Sequence, residues 1–203
     1  MLGLVIGLAT GGSMKDLASV RFRLWGLVFL GLGLQLVPVP SRPGNADHVL
    51  GVALLVGSYV ALLVFVVANL RLPGFWLLAA GFACNLVVVS VNGGMPVSAS
   101  ALRRAAGSDY PAMAASIRTE RGARHHLVRP DDDLVALADV IPVGWPGPQV
   151  LSVGDVLWLL GTVWLLAAAT HGAAEPLTSR PTQPEPRDGP SPSPPPSTRG
   201  AEE

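Results

Sequence analysis

The feature that most constrains this chain is a set of long apolar blocks that carry no formal charge. Val49–Ala68 is twenty residues long, and at about 1.5 Å per residue such a helix spans roughly 30 Å, the thickness of a bilayer's hydrocarbon core. Leu24–Val39, Gly74–Val91 and Val156–Thr170 are further uncharged blocks. None has the polar stripe of period 3.6 that is typical of a helix in a soluble protein. The sequence therefore predicts an all-α fold, an integral membrane helical bundle.

The number of transmembrane helices depends on the first apolar stretch. The four blocks predict four spans, and the last one gains length if its helix starts near Ser152. Leu2–Gly12 reaches only about half of a bilayer at helical rise, and it lacks the positively charged start of a signal peptide. It is either a short, half-inserted helix or the end of a full helix whose opening residues precede Met1. We therefore expect four or five transmembrane helices.

Composition agrees with a membrane protein and argues against some other classes. Charged residues make up 14% of the chain, against roughly 25% in an average soluble protein. The formal net charge is zero, so no basic field favours nucleic acid as a partner. The single cysteine, Cys84, cannot form an intramolecular disulfide, nor a thiolate metal site alone. The expected partner is the lipid bilayer.

Basic residues in the connecting segments predict the orientation. Ser13–Arg23 carries three basic residues and the short link Asn69–Gly74 carries one, whereas Pro40–His48 carries one on the opposite side. The positive-inside rule places the first two segments in the cytoplasm. Residues 92–151 then lie outside the cytoplasmic membrane, and the C-terminal tail lies inside.

The chain divides into a membrane domain, residues 1–173, and a tail, residues 174–203. The predicted spans lie near residues 2–12, 24–39, 49–68, 74–91 and 152–170, with an outer segment at 92–151. Two short helices are expected in the outer segment, at residues 99–106 and 112–118. The tail is rich in proline and poor in apolar residues, so it cannot bury enough surface to offset its ordering entropy and is predicted to be disordered.

Small residues recur at helical spacing within the longest block. Ala53, Gly57 and Ala61 are four residues apart, so they share one helix face. In lipid, small residues at this spacing allow the close backbone approach on which helix association depends. The spacing predicts a packing seam, either inside the bundle or against another protein. Chance is the alternative, because Gly and Ala are abundant in this chain.

Five polar residues in and beside the apolar blocks are candidates for a structural or binding role. Asn85 lies inside a predicted span, where an amide is expected to hydrogen-bond to a neighbouring helix. Asn92 precedes two glycines and ends that span. Ser152 and Asp155 have the spacing of a capping box, although a carboxylate at the head of a membrane helix is also a candidate for a proton or cation relay. Asp139 could join these groups in a polar pocket.

The remaining chemistry-bearing residues do not predict an enzyme or a metal site. His125 and His126 precede three aspartates at 131–133, but adjacent histidines point apart and no pair of ligands at i, i+4 is present. The aspartates favour a solvated turn. The chain contains no nucleophile elbow, zinc-protease motif, P-loop or dinucleotide fingerprint. We therefore assign no catalytic residue, metal or cofactor, and the sequence leans away from an enzyme.

Four motifs in order resemble a known family. Asn69–Gly74, Asn92–Val97, Leu137–Pro142 and Ser152–Asp155 are similar, in sequence and in position between the helices, to the bacterial membrane family catalogued as domain of unknown function 5317. The resemblance covers about Leu2–His171 and leaves out the proline-rich tail. It implies a small multi-pass bundle and brings no activity, cofactor or catalytic residue with it.

Three hypotheses for the function follow from the residues. The leading hypothesis is a non-enzymatic interaction or structural component of the cytoplasmic membrane, which packs against lipid, another membrane protein or a second copy of itself. The alternative is a small transporter or an ion- or lipid-binding membrane protein, in which the polar candidates line a pocket. An enzyme at the membrane is the third and least supported hypothesis.

Overall fold

The computed structural model describes residues 2–39, 45–119 and 124–172. The helices in these ranges are α1 (Leu2–Ala9), α2 (Met14–Ser19), α3 (Gly26–Leu36), α4 (Asn45–Ala68), α5 (Phe75–Asn92), α6 (Ala99–Ala106), α7 (Tyr110–Thr119) and α8 (Val153–Ala169). The strands are β1 (Met95–Val97), β2 (His125–Leu127), β3 (Ile141–Val143) and β4 (Gln149–Leu151). The predicted tail, residues 174–203, lies outside the described residues, as does part of the predicted loop 40–48.

Helices α4 and α5 have the length that a membrane span needs. Among the described residues, Ala46–Ala68 and Phe75–Asn92 are the two helical segments long and apolar enough to cross a bilayer, with mean hydropathies of 2.7 and 1.8. Helix α3 has 11 residues and α8 has 17, which gives about 16 and 25 Å at helical rise. The structure therefore supports two candidate spans by length, not the four or five that the sequence predicts.

Helix α3 is shorter than the predicted span 24–39 because its sequence breaks the helix at both ends. Leu24 has a left-handed backbone, with φ of 55°, which a helical residue does not adopt. At the other end Val37 precedes Pro38 and is extended, with ψ of 118°. Proline disfavours the helical conformation of the residue before it, so α3 stops at Leu36.

Helices α5 and α8 pack antiparallel through two facing pairs of glycines. A Cβ atom on Gly81 would lie 2.5 Å from the carbonyl oxygen of Gly154, and one on Gly161 would lie 2.7 Å from the carbonyl oxygen of Gly74. Both distances are shorter than real Cβ contacts, so only glycine lets the two backbones approach this closely. Gly74 and Gly81 are seven residues apart in sequence, as are Gly154 and Gly161. This seam, which we call the glycine seam, fixes α8 against α5.

Helix α3 packs against α4 at another glycine. A Cβ atom on Gly31 would lie 2.7 Å from Cγ of Leu62 and 3.3 Å from the carbonyl oxygen of Ser58. Beside this contact the amide of Gln35 donates a hydrogen bond of 2.7 Å to the hydroxyl of Ser58. The two contacts place α3 along the buried side of α4.

The predicted seam on α4 is divided by this packing. Ala61 is buried, Gly57 is half-buried and Ala53 is exposed. A Cβ atom on Gly57 would be in ordinary contact with Leu34 of α3, at 3.6 Å. Part of the set therefore packs inside the bundle, and Ala53 alone stays on the outer surface.

At the end of the bundle opposite the strands, hydrogen bonds to the main chain connect segments that are far apart in sequence. The backbone N–H of Ser13 donates to the carbonyl of Thr170, at 2.6 Å, and joins the segment after α1 to the end of α8. The side chain of Asn69 accepts from the N–H of Arg23 at 2.8 Å and donates to its carbonyl at 2.9 Å. This pair of bonds fixes the entry to α3 against the turn between α4 and α5.

The described residues of segment 93–151, which are 93–119 and 124–151, form a compact cap at the other end and correct the all-α prediction. Within the described ranges, β1 pairs in parallel with β2, and β3 pairs antiparallel with β4. Pro96 and Pro142 interrupt helix propensity in β1 and β3, so short extended pairs replace helix here. Helices α6 and α7 confirm the two predicted short helices, with bounds of 99–106 and 110–119.

The cap has a small apolar core of its own. Val97, Leu102, Ala114 and Ile117 are all buried together. Ser98 caps α6, since its hydroxyl accepts from the backbone N–H of Ala101 at 3.3 Å. The cap is therefore a folded layer that closes one end of the bundle, not a loop.

Candidate ligand cavity

A cavity of about 460 Å³ lies between the cap and the ends of the helices. Its wall combines apolar side chains of the cap core with polar groups from α3, α4, α8 and the strands. The lining residues are Gln35, Leu55, Tyr59, Met95, Val97, Leu102, Met113, Ile117, His125, Asp139, Pro148, Gln149, Val150 and Asp155. A volume of this size is typical of small-molecule sites, which are mostly apolar with a few polar groups that fix orientation.

The carboxylate of Asp155, at the start of α8, lines this cavity and is held by Ser152 and by Asn85 of α5. Ser152 and Asp155 form the capping box, with bonds of 3.0 Å in each direction between side chain and backbone. Asn85, which is 1% exposed, donates to Oδ1 of Asp155 at 2.9 Å and accepts from the hydroxyl of Ser152 at 2.9 Å. The Asp155 carboxylate is thus held by two helices at once.

Tyr59 brings α4 into the same group. Its side chain is half-buried on the cavity wall, which it shares with Asp139 and Asp155. Residues from α4, α5 and α8 therefore meet at one place. Convergence of this kind is what distinguishes a binding site from isolated helix caps.

Asp139 reaches the cavity because its backbone extends the sheet of the cap. Its N–H donates to the carbonyl of Pro96 at 3.1 Å, and its carbonyl accepts from the N–H of Ser98 at 2.9 Å. Asp139 thereby forms a parallel bridge with Val97 and is 8% exposed. Two of the motifs used for the family resemblance, at 92–97 and 137–142, are paired through these bonds.

Arg124 joins the cap to the end of α3. Its guanidinium donates to the carbonyls of Gln35 at 2.7 Å and Val37 at 2.6 Å, with a longer contact of 3.4 Å to Leu34. The last carbonyls of a helix have no partner within it, and a cation beside them is favoured by the helix dipole. The charge of Arg124 is therefore engaged with backbone rather than with the cavity.

His126 and Asp132 form an ion-pair contact on the side of the cap. Nε2 of His126 lies 3.0 Å from the Asp132 carboxylate, whose other oxygen accepts from the N–H of Arg129 at 2.7 Å. Burial raises the pKa of Asp132, but the Arg129 N–H and the His126 imidazole favour the charged carboxylate and lower that pKa below its usual 3.8. The aspartate run at 131–133 is thus partly a structural clamp, not only the solvated turn that the sequence predicts.

The predicted polar candidates fall into two groups. Asn85, Ser152, Asp139 and Asp155 lie at or beside the cavity, as the alternative hypothesis from sequence requires. Asn92 lies elsewhere: its amide donates to the carbonyl of Asp133 and accepts from the N–H of the same residue. It anchors the loop after β2, and Gly93, with φ of 63°, is the residue that ends α5.

Sequence reasoning missed several residues of the cavity. Tyr59 stands within an apolar block, and its only signal is a hydroxyl at a position where a lipid-facing residue is expected. His125 was weighed only as a metal ligand. Within the described residues no group of three His, Cys, Asp or Glu side chains is close enough together to hold a metal ion.

The comparison with known proteins agrees with the resemblance carried by the four motifs. The family described as "Family of unknown function (DUF5317)" matches residues 19–167. The chain belongs to this family. The matched range of DUF5317 contains every polar residue of the cavity and both pairs of the glycine seam, so these features lie inside the region that defines the family.

The DUF5317 chain also has a curated relative. A protein of Thermotoga maritima, described only as uncharacterized, is 28% identical over 164 residues, which cover 79% of this chain and 83% of that protein. No solved structure matches the chain. The comparisons therefore show the family of this protein, and its function has to be inferred from the geometry of the site.

Proposed function

We propose that this DUF5317 chain is a multi-pass membrane protein that binds a small solute in the cavity beneath its outer cap. The single observation that carries this proposal is the cavity itself. It is bounded by cap residues on one side and by Tyr59 and Asp155 of the helices on the other. A purely structural component would have no need of a hollow with convergent polar groups at this point.

The surface of the helices supports a membrane location. Only 33% of the residues in each candidate span are buried within the chain, whereas the core helix of a soluble protein would be mostly buried. Large exposed apolar side chains occur on four helices. They include Phe29, Leu30, Val49, Val64, Trp76, Val87, Leu160 and Trp164. Soluble monomers rarely expose apolar patches of such extent, so lipid is the solvent that fits all four helices.

We propose five embedded helices in this membrane: α1, α3, α4, α5 and α8. The shorter helices α3 and α8 each pack along a longer one, at Gly31 and at the glycine seam, so they share its depth. Flanking cap residues complete the distance that α3 does not cover. The loop charges favour a cap outside the membrane and an end of α8 in the cytoplasm.

Binding fits the geometry better than transport. Asp155 lies in the first turn of α8, at the cap end of the bundle and not at mid-membrane depth. A transporter places its site near the bilayer midplane between broken helices. The described helices α4, α5 and α8 run without such a break. The site is therefore proposed to receive a solute from the outer side.

Cysteine labelling in intact cells tests both the membrane location and the open cavity. In a Cys84→Ala background, Met113→Cys places a thiol on the cavity wall, and Val64→Cys places one on the exposed apolar surface of α4. A small, membrane-impermeant thiol reagent is expected to modify the first variant and not the second. Modification of Val64→Cys would contradict the lipid location, and an unreactive Met113→Cys would contradict an open outer cavity.

A further inference from the structure

We infer that the cavity selects a small organic cation, an ammonium head on a short apolar body. This inference rests on the proposed function, because it names the class of solute that the cavity binds. It combines three properties of the wall, which are its charge, the arrangement of its hydrogen bonds and its apolar lining.

The charge of the wall is negative. Asp139 and Asp155 both line the cavity, and none of the described residues in its lining is Lys or Arg. The guanidinium of Arg124 is hydrogen-bonded to the carbonyls that end α3 and is not part of the lining. The base in the lining is His125, which is the titratable group that faces the carboxylates from β2. Low-dielectric walls focus such a field and raise the local concentration of cations.

The hydrogen bonds leave room for a donor. Each oxygen of Asp155 accepts one bond, from Asn85 and from the N–H of Ser152, and a carboxylate has about four acceptor sites. Asp155 is half-buried, so its free lone pairs can be reached from the cavity. The fixed carboxylate thus presents acceptors to an incoming N–H group, while Asn85 and Ser152 keep it oriented.

Part of the wall is apolar, alongside polar side chains such as Gln35 and Gln149. Leu55, Val97, Leu102, Met113 and Ile117 face the same space. An inorganic anion would meet two carboxylates, and a bare metal ion would not find three ligands among the described residues. An amine with a short hydrocarbon body satisfies both parts of the wall, because burial of each CH₂ group contributes about 0.8 kcal/mol.

The test measures the field inside the cavity with two thiol reagents of similar size and opposite charge. These are trimethylammonioethyl and sulfonatoethyl methanethiosulfonate, applied to Met113→Cys in the Cys84→Ala background. Ala112→Cys, on the exposed side of the same helix, is the matched control. The ratio of cationic to anionic rates is expected to be about tenfold higher at position 113 than at position 112.

Neutralising either carboxylate is expected to lower that ratio. Asp155→Asn and Asp139→Asn should each reduce it by at least about threefold, as the loss of a nearby charge requires. Asp131→Asn, at an exposed aspartate of the cap, should leave it unchanged. Each ratio compares two reagents on the same variant, so a smaller amount of folded protein does not change it. The two substitutions test the two carboxylates separately.

Protection by a solute gives the direct measure of binding. At millimolar concentration n-butylammonium is expected to slow the labelling of Met113→Cys severalfold, whereas n-butanol and butyrate should not. Equal ratios at positions 112 and 113, or equal protection by the three solutes, would overturn the cation inference and leave the cavity proposal standing. If neither reagent labelled position 113 while both labelled position 112, the cavity proposal itself would be overturned.

Discussion

At the scale of single residues, three asparagines do similar work at three different places. Asn69 joins the turn after α4 to the entry of α3, Asn85 joins α5 to the start of α8, and Asn92 joins the end of α5 to the cap loop. Each amide both donates and accepts, so one side chain satisfies two partners from a distant segment. Burying an asparagine costs less free energy than burying a charged side chain, because no charge has to be desolvated.

The clamp between His126 and Asp132 predicts a pH dependence of the stability of the cap. Because the native pKa of Asp132 is lowered below 3.8, its contribution is fully present above that pH and is lost as the pH falls through the lower native value. Asp132→Asn is expected to cost about 1 kcal/mol at pH 7, and the difference from wild type should vanish in strong acid.

Thermal unfolding of the purified protein in detergent at several pH values measures this effect. The control is Asp131→Asn, which removes the same charge from the neighbouring exposed residue and is expected to change stability little at any pH. A loss that is the same at pH 7 and in strong acid would show that the carboxylate is not the group responsible.

At the scale of elements, the glycine seam decides how the bundle closes. Gly81 and Gly154 face each other, as do Gly74 and Gly161, and the close backbones leave no space for a side chain between them. The seam also sets the position of Asn85, which lies one turn beyond Gly81 on α5. A Cβ atom on Gly154 would collide with the side-chain oxygen of Asn85, so seam and cavity wall depend on each other.

A substitution at the seam should therefore destabilise the protein. Gly81→Ala places a Cβ atom 2.5 Å from the carbonyl oxygen of Gly154, which forces the helices apart at a cost of about 1 to 3 kcal/mol. Gly33→Ala is the matched control, since no atom lies within 4 Å of a Cβ there. The two midpoints of thermal unfolding in the same detergent are compared. A Gly81→Ala variant as stable as Gly33→Ala would contradict the close approach.

The sequence predicted the elements of this fold better than their contacts. Apolar blocks, proline positions and the Ser152–Asp155 spacing are local signals, and they placed the helices, the capping box and the two short cap helices. The sequence did not predict the glycine seam, because its glycines lie seven residues apart on two segments that are far apart in sequence. The pairing of β1 with β2, and the bridge to Asp139, depend on contacts between segments that no local pattern records.

The cavity was predictable only in part for the same reason. Asn85, Asp139 and Asp155 were recognised as polar residues in unusual places. The bond between Asn85 and Asp155 follows from the packing of α5 on α8, whereas Asp139 joins the wall through its bridge to Val97. Tyr59 was not recognised, because an aromatic residue within an apolar helix is ordinary. Its role appears only when α4 is placed beside the other two helices.

At the scale of the whole molecule, the surface proposed to face lipid also includes part of the predicted packing seam. Association through Ala53, Gly57 and Ala61 stays a prediction. Of the three, Ala53 is exposed, and a larger side chain there does not disturb packing within the chain as it would at Gly57, which faces Leu34.

Ala53→Leu is therefore the substitution that tests self-association. If copies of the chain pack through this face, the added bulk should reduce the yield of crosslinked dimer in native membranes severalfold. Val67→Leu, which also enlarges an exposed residue of α4 but lies outside the set, should not change it. Equal dimer yields for wild type and Ala53→Leu would contradict an interface at this face.

In the proposed membrane placement, the contact of Arg124 with the end of α3 has a consequence for how such a short helix ends in lipid. A helix of 11 residues ends with carbonyls that would otherwise face the boundary between hydrocarbon and headgroups. The guanidinium supplies their donors from a segment almost ninety residues later in the chain. If the cap moved away, those carbonyls would lose their hydrogen-bond donors. The position at which α3 ends and the position of the cap therefore depend on the same hydrogen bonds.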